Sequence, residues 1–147
     1  MDTRIVVDAS VLVSQLMPLD TNHNTSLFWL NQFSASGGLL VAPVFLQIEV
    51  AAAVSRRTGQ PDLSKKALEN LNNTNAIQFV SLDSALIQAA INIATDLQLR
   101  AGDAIYVAVA SQLNIPLVSW DNEQLERASS LIQTYTPGAY PFEAAQP

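Results

Sequence analysis

Short β-branched runs alternating with longer stretches of helical period constrain this chain more than any other feature. Arg4–Val7, Gly38–Ala42, Ile77–Ser81, Leu117–Ser119 and Leu131–Tyr135 read as strands. Between them the apolar spacing predicts helices over Val11–Met17, Thr21–Ala35, Pro43–Arg57, Leu63–Asn73, Ser84–Leu97, Asp103–Leu113 and Asn122–Ser129. Such alternation implies right-handed crossovers and a mainly parallel sheet covered by helices on both faces. The fold class is therefore α/β. Punctuation agrees: Pro43 is expected in a first helical turn, Asp83 as an N-cap, Gly59 after a helix end and Pro116 ahead of a strand. A chain of 147 residues with no internal repeat or low-complexity linker is expected to form one domain, 1–147. Its 49% hydrophobic and 14% charged residues are enough to fill a core of that size.

Composition also narrows the chemistry. Cysteine is absent, which excludes disulfides and thiolate metal sites and suits a reducing, cytoplasmic setting. Arg4 leads directly into Ile5-Val6-Val7-Asp8, with no stretch that reads as a signal peptide. The apolar runs, roughly eight residues at most, are too short to cross a bilayer. A net charge of −6 argues at face value against nucleic acid. Four of the 13 acids, however, form the candidate site described below, leaving nine against seven bases. One or two divalent cations there would raise the local charge further. The single histidine, His23, lies in the polar segment Asp20–Asn24 and is expected to be solvated. A zinc site has nothing to build on.

Four carboxylates stand where carboxylates are costly or exposed to a ligand. Asp8 closes the first strand, and Asp121 follows Leu117-Val118-Ser119-Trp120 at the end of a later one. Ligands of open parallel sheets collect outside the carboxyl ends of strands, although an Asp there also reads as the N-cap of the next helix. Glu49 lies in Val44–Val54, a stretch apolar nearly all round, with Phe45, Leu46, Ala52 and Ala53 at helical spacing from it. An ionised carboxylate in such a place costs several kcal/mol unless it is paired, protonated or bound to metal. A buried ion pair with a distant Arg is the alternative. Asp103 opens a helix whose Tyr106, Val109, Ala110 and Leu113 have core spacing. A helix start by itself favours a negative charge by roughly 0.3–1 kcal/mol, so Asp103 also has a purely structural reading.

Together the segments Val7–Leu12, Pro43–Val50, Leu99–Ala108 and Leu117–Leu125 resemble, in order and in spacing, the four acidic blocks of PIN-domain nucleases, most closely the VapC-type toxins of toxin–antitoxin systems. The resemblance covers residues 4–125. It implies strand order 3-2-1-4-5, with Asp8 and Asp121 on adjacent strands at the switch point. It implies Mg²⁺ or Mn²⁺ held by Asp8, Glu49, Asp103 and Asp121, with Ser10 and Ser119 hydrogen-bonded within the site. Asp8 and Asp103 would be direct ligands, Asp121 a ligand or second-site anchor, and Glu49 a ligand or water orienter. Carboxylates without His or Cys suit such hard cations, which supply the Lewis acidity and activated water that phosphodiester hydrolysis needs. The implied activity is endoribonuclease cleavage. The implied partners are RNA and a cognate antitoxin whose basic residue enters the site.

Outside those blocks several features stay open. Trp120 stands where the family more often has a small or aliphatic residue, and the tail after Tyr135 does not map onto the resemblance. Arg56, Arg57, Lys65 and Lys66 either bracket the site for RNA phosphates or are solvated helix ends. Phe28, Trp29 and Phe33 read as core or as the surface of a homodimer, which the apolar abundance favours. Glu69, Asp83, Asp96 and Glu126 read as caps or surface charge. A HAD-type phosphatase would need an Asp where Ser10 stands. A receiver domain would need a Lys late in the chain, and none follows Lys66. The remaining rival is a PIN-like module that binds RNA or protein without cutting.

Overall fold

Ile5, Val6 and Val7 are all buried, so β1 (Arg4–Val7) carries core on both of its faces, as a central parallel strand must. The computed structural model describes residues 3–74 and 77–142, and the expected span of 1–147 runs beyond them at both ends. Five parallel strands take the order β3-β2-β1-β4-β5, the order that the resemblance implied. β2 (Leu39–Pro43) pairs with β1 through Val6↔Val41, and β4 (Leu117–Val118) pairs with its other edge through Val7↔Val118. β3 (Ile77–Val80) and β5 (Thr134–Tyr135) form the edges. Strand order reverses at β1 and β4, which is where an open sheet leaves a crevice at its carboxyl end.

Right-handed crossovers put α1 (Ala9–Leu16), α2 (His23–Ala35), α3 (Phe45–Thr58) and α4 (Pro61–Thr74) on one face. The other face carries α5 (Ser84–Leu97), α6 (Ala101–Leu113) and α7 (Asn122–Ala128). On it α6 packs against β1, β2 and β4, and α5 against α6. Among the described residues no helix is long and apolar enough to cross a membrane.

Several boundaries differ from expectation for identifiable reasons. Pro43 does not open a helix. It ends β2 beside Val80, and the next amide, Val44 N–H, donates to the Val80 carbonyl at 3.0 Å. The predicted strand Leu131–Tyr135 shrinks to its last two residues. Leu131 and Ile132 instead donate to the Ala128 carbonyl at 2.9 and 3.1 Å, closing the turn after α7. Asp103 does not open α6 but sits third in it, behind the N-cap Arg100. α3 is not apolar on every side in space either: Leu46, Val50 and Val54 are its buried stripe, while Ile48 is 66% exposed. His23 is half-buried at the start of α2, its Nδ1 3.1 Å from the Ser14 carbonyl, rather than solvated in a turn.

The unmapped tail has a place. A 3₁₀ turn, Pro137–Ala139, brings Tyr140 edge-on to the stacked pair Trp29–Phe33, with centroids 5.7 and 5.9 Å away. Tyr135 and Phe142 add further edge contacts to Tyr140. Trp29 and Phe33 are buried at 1% and 3% exposure, whereas Phe28 is 68% exposed, so the predicted aromatic group divides. Gly38 belongs to this cluster by necessity, since a Cβ there would lie 2.4 Å from the Phe33 ring.

Candidate active site

The first acid is placed by two kinds of local structure at once. Asp8 N–H continues the β1–β4 ladder to the Val118 carbonyl at 3.0 Å, and its carboxylate accepts Ser10 N–H at 3.0 Å as the N-cap of α1. Asp121 likewise caps α7, accepting Gln124 N–H at 3.2 Å. Cap and site are thus not alternatives: capping aims both carboxylates across the switch point. Glu49 enters from the second turn of α3 toward the first turn of α6, where the absent side chain of Gly102 leaves room. A Cβ on Gly102 would stand 3.1 Å from the Phe45 ring and 3.9 Å from Glu49 Oε2. Asp103 faces the same space from α6. Asp8, Glu49, Asp103 and Asp121 line one pocket of about 450 Å³, together with Ser10, Phe45, Arg57 and Arg100.

Beneath the pocket two hydroxyls tie its halves together. Trp120 N–H donates to Ser10 Oγ at 3.0 Å and Asp121 N–H to Ser119 Oγ at 3.0 Å. The two Oγ atoms lie 3.4 Å apart. Ser119 is fully buried, so it braces the turn from below while Ser10 reaches the pocket wall. The indole N–H of Trp120 donates at 2.8 Å to the buried Ser26, whose Oγ is 2.6 Å from Ser14 Oγ. The departure at Trp120 therefore bolts the β4–α7 turn to α1 and α2.

Electrostatics in the pocket is dominated by burial and by like charge. Burial raises the pKa of Asp8 against the hydrogen bonds it receives from Ser10, Gln124 and Ser119. Burial also raises Glu49, helped by the charges of Asp8 and Asp103 and opposed by the Tyr106 hydroxyl. Asp103 is pushed up to about 6 by burial, then by Asp121 and Asp8, with Arg100 pulling the other way. Tyr106 is buried against Glu49 and Asp8, and its phenol is held protonated, mainly by burial. Its hydroxyl and Glu49 Oε1 are both buried polar atoms without a hydrogen-bond partner.

That orphaned carboxylate oxygen and an all-oxygen donor set fit a hard divalent cation. Among the described residues no three Asp, Glu or His side chains already converge as a metal-ready cluster. Magnesium does not demand one, because it commonly takes one or two carboxylates and completes its shell with water and substrate phosphate.

Three residues escaped the sequence reading. Arg100 reaches across the pocket mouth, 3.6 Å from Asp103 and 3.7 Å from Asp121. The signal was available as a base three residues ahead of Asp103 in a chain with only seven. Gln124 is fully buried under Asp8, and its position three after the cap Asp121 matches a capping box. Tyr106 has core spacing and is fully buried, yet its phenol also stands against Glu49 and Asp8. Of the four bases read either as bracketing the site or as solvated helix ends, Arg57 lines the pocket, held by an ion pair to Asp20 at 2.8 Å. Lys65 lies on a separate apolar groove between α3 and α4.

Fold and pocket together define an α/β domain whose acidic cluster sits at the carboxyl-end switch point of a five-stranded parallel sheet. The chain belongs to the PIN-domain family, whose sequence profile matches residues 5–131. Among solved structures it is similar to VapC20 of Mycobacterium tuberculosis, described as a sarcin–ricin-loop-cleaving toxin. That match has a TM-score of 0.69 at 17% identity and covers 88% of this chain and 97% of that one. It is also similar to a chain of VapBC2 from Rickettsia felis, solved with a promoter DNA fragment, at TM-score 0.67 and 14% identity over 90% and 98% of the two chains. A chain of FitAcB from Neisseria gonorrhoeae superposes at TM-score 0.68 and 16% identity over 90% and 97%. No curated protein sequence matches.

Proposed function

We propose that this protein is a Mg²⁺- or Mn²⁺-dependent endoribonuclease that acts as the toxin of a toxin–antitoxin pair. The observation that carries the reading is the meeting of Asp8, Glu49, Asp103 and Asp121, from four separate segments, around one pocket at the switch point. Membership of the PIN family supports nuclease chemistry. The toxin role rests on the structural neighbours, which include a toxin–antitoxin complex from Klebsiella pneumoniae at TM-score 0.64 and 14% identity.

When bound, the cation supplies Lewis acidity to the phosphodiester and lowers the pKa of a water. Asp8 and Asp103 would hold it, with Asp121 at the mouth as a ligand or anchor. Glu49 brings its unpartnered Oε1 to the deep side, where it orients water or binds the cation. Ser10 and Ser119 keep the Asp8 and Asp121 turns in register. Arg57, already fixed by Asp20, would receive an RNA phosphate at the pocket rim. The partners in this reading are the RNA, a cognate antitoxin with a basic residue for the pocket, and a second copy of the chain.

Incubating the purified protein with total RNA and Mn²⁺, with and without EDTA, tests the activity. Cutting that EDTA stops and Asp8→Asn abolishes is the expected result. Cutting that survives EDTA yet disappears in Asp8→Asn overturns the metal mechanism, and no cutting of any RNA leaves the binding-module reading in possession. Growth arrest on expression, relieved by the neighbouring reading frame, checks the toxin role.

A further inference from the structure

Arg100 is an unusual occupant for the mouth of an acidic pocket. It is the N-cap of α6 with extended backbone angles, which throws its side chain back over the first turn toward Asp103. From there the guanidinium spans two acids on different elements, Nε 3.6 Å from Asp103 on α6 and one terminal nitrogen 3.7 Å from the α7 cap Asp121. Neither contact reaches the 2.7–2.9 Å of a charge-assisted hydrogen bond. The Arg100 side chain is 75% exposed, so water screens both pairs. Arg57, on the same pocket, differs in kind: it is locked to Asp20 at 2.8 Å and touches none of the four acids at ion-pair distance.

We propose that Arg100 is a tethered counter-ion that holds the divalent cation's place and must be displaced for the cation to bind. This rests on the proposed metal dependence and adds an internal competitor to it. The geometry supports displacement rather than co-occupancy. The guanidinium faces Asp103, one of the two acids that would hold the cation, and Asp121 at the mouth, at distances too long to anchor it. Its exposure gives it open solvent to swing into. A loose counter-ion eases the crowding of the metal-free pocket while leaving the acids available, whereas a tight bidentate pair would close the site.

The test separates this role from a merely structural one through measurements made without RNA. Mn²⁺ binding is followed by calorimetry in wild type, Arg100→Gln and Arg100→Lys, and melting temperatures are taken in EDTA and in saturating Mn²⁺. Two screened ion pairs predict that Arg100→Gln binds Mn²⁺ about 3- to 10-fold more tightly at low salt. The advantage should shrink as monovalent salt rises. Arg100→Gln should also melt lower than wild type in EDTA at pH 7.5, with the gap closed or reversed in Mn²⁺. Arg100→Lys, which keeps a charge but not the fork that spans two carboxylates, should fall between them. Equal or weaker Mn²⁺ binding by Arg100→Gln, or a melting deficit of the same size with and without Mn²⁺, overturns the proposal while leaving the nuclease reading intact. Failure of the wild type to take up any Mn²⁺ overturns both.

Discussion

The acid pocket and the aromatic cluster are built from neighbouring pieces of one scaffold and have opposite energetics. In the cluster, Trp29, Phe33 and Tyr140 meet with ring centroids 5.2–5.9 Å apart, and each contact favours the folded chain. In the pocket, burial and mutual repulsion raise the pKa values of Asp8, Glu49 and Asp103, so the charged site opposes the fold that holds it. The two regions are joined physically. α2 carries Ser26, Trp29 and Phe33 on one buried face, and Ser26 accepts the Trp120 indole N–H at 2.8 Å. Stability is thus concentrated beside the site, where it offsets the strain of like charges.

Three substitutions, read out in four measurements, probe that contrast. The largest effect belongs to activity: Asp103→Asn should lower Mn²⁺-dependent RNA cleavage by on the order of 10²-fold or more, since a direct ligand or charge stabiliser is lost. Cleavage within a few-fold of wild type would remove Asp103 from the site. Next in size, Trp29→Ala should cost about 3–5 kcal/mol in urea denaturation, as expected for a fully buried Trp. A loss below about 1 kcal/mol would mean that the cluster does not anchor α2.

Smaller and opposite in sign is the effect of Asp103→Asn on the metal-free protein. Because folding raises this carboxyl from 3.8 to about 6, the native state binds more protons than the unfolded one in that interval. The resulting stabilisation is complete below about pH 4 and is lost as pH rises through about 6. In EDTA at pH 7.5 the Asn variant should therefore be more stable than wild type by about 1 kcal/mol, with a flatter pH dependence. A variant that melts clearly below wild type at pH 7.5 would show that the Arg100 contact outweighs the repulsion. Under the proposed metal dependence Mn²⁺ should restore wild type, by binding only to the folded cluster. Last, Phe28→Ser should change stability by no more than about 0.5 kcal/mol, although it stands next to Trp29, because Phe28 is exposed. A large loss there would place Phe28 in an interface.

Much of the scaffold was legible because local signals and tertiary demands coincided. α5 falls at Ser84–Leu97, as its apolar spacing and the cap Asp83 predict. The strand β1 is equally plain because Ile5, Val6 and Val7 are apolar in succession and all buried. Pro43 misled because a proline suits a first helical turn and also the end of a strand, and only the partner Val80 decides between them. The acids were found as anomalies in an apolar setting, but their spacing in the chain says nothing of the residues between them in space. Arg100 looks like any helix-start base until Asp121, 21 positions later, is folded against it. Tyr140 was unreadable for a similar reason, since its contacts to Trp29 and Phe33 span more than 100 residues.

The double duty of Asp8 and Asp121 shapes how this gene can decay. Asn caps a helix as well as Asp does, while an aliphatic residue does not. An Asp codon becomes an Asn codon by one base change, so each position lies one step from an allele that keeps its helix and loses its charge. Alleles that replace the same codons by Ala or Val lose charge and cap together and leave a weakened chain open to proteolysis. Silenced copies that persist as folded proteins should therefore carry Asn at these two positions more often than any other residue.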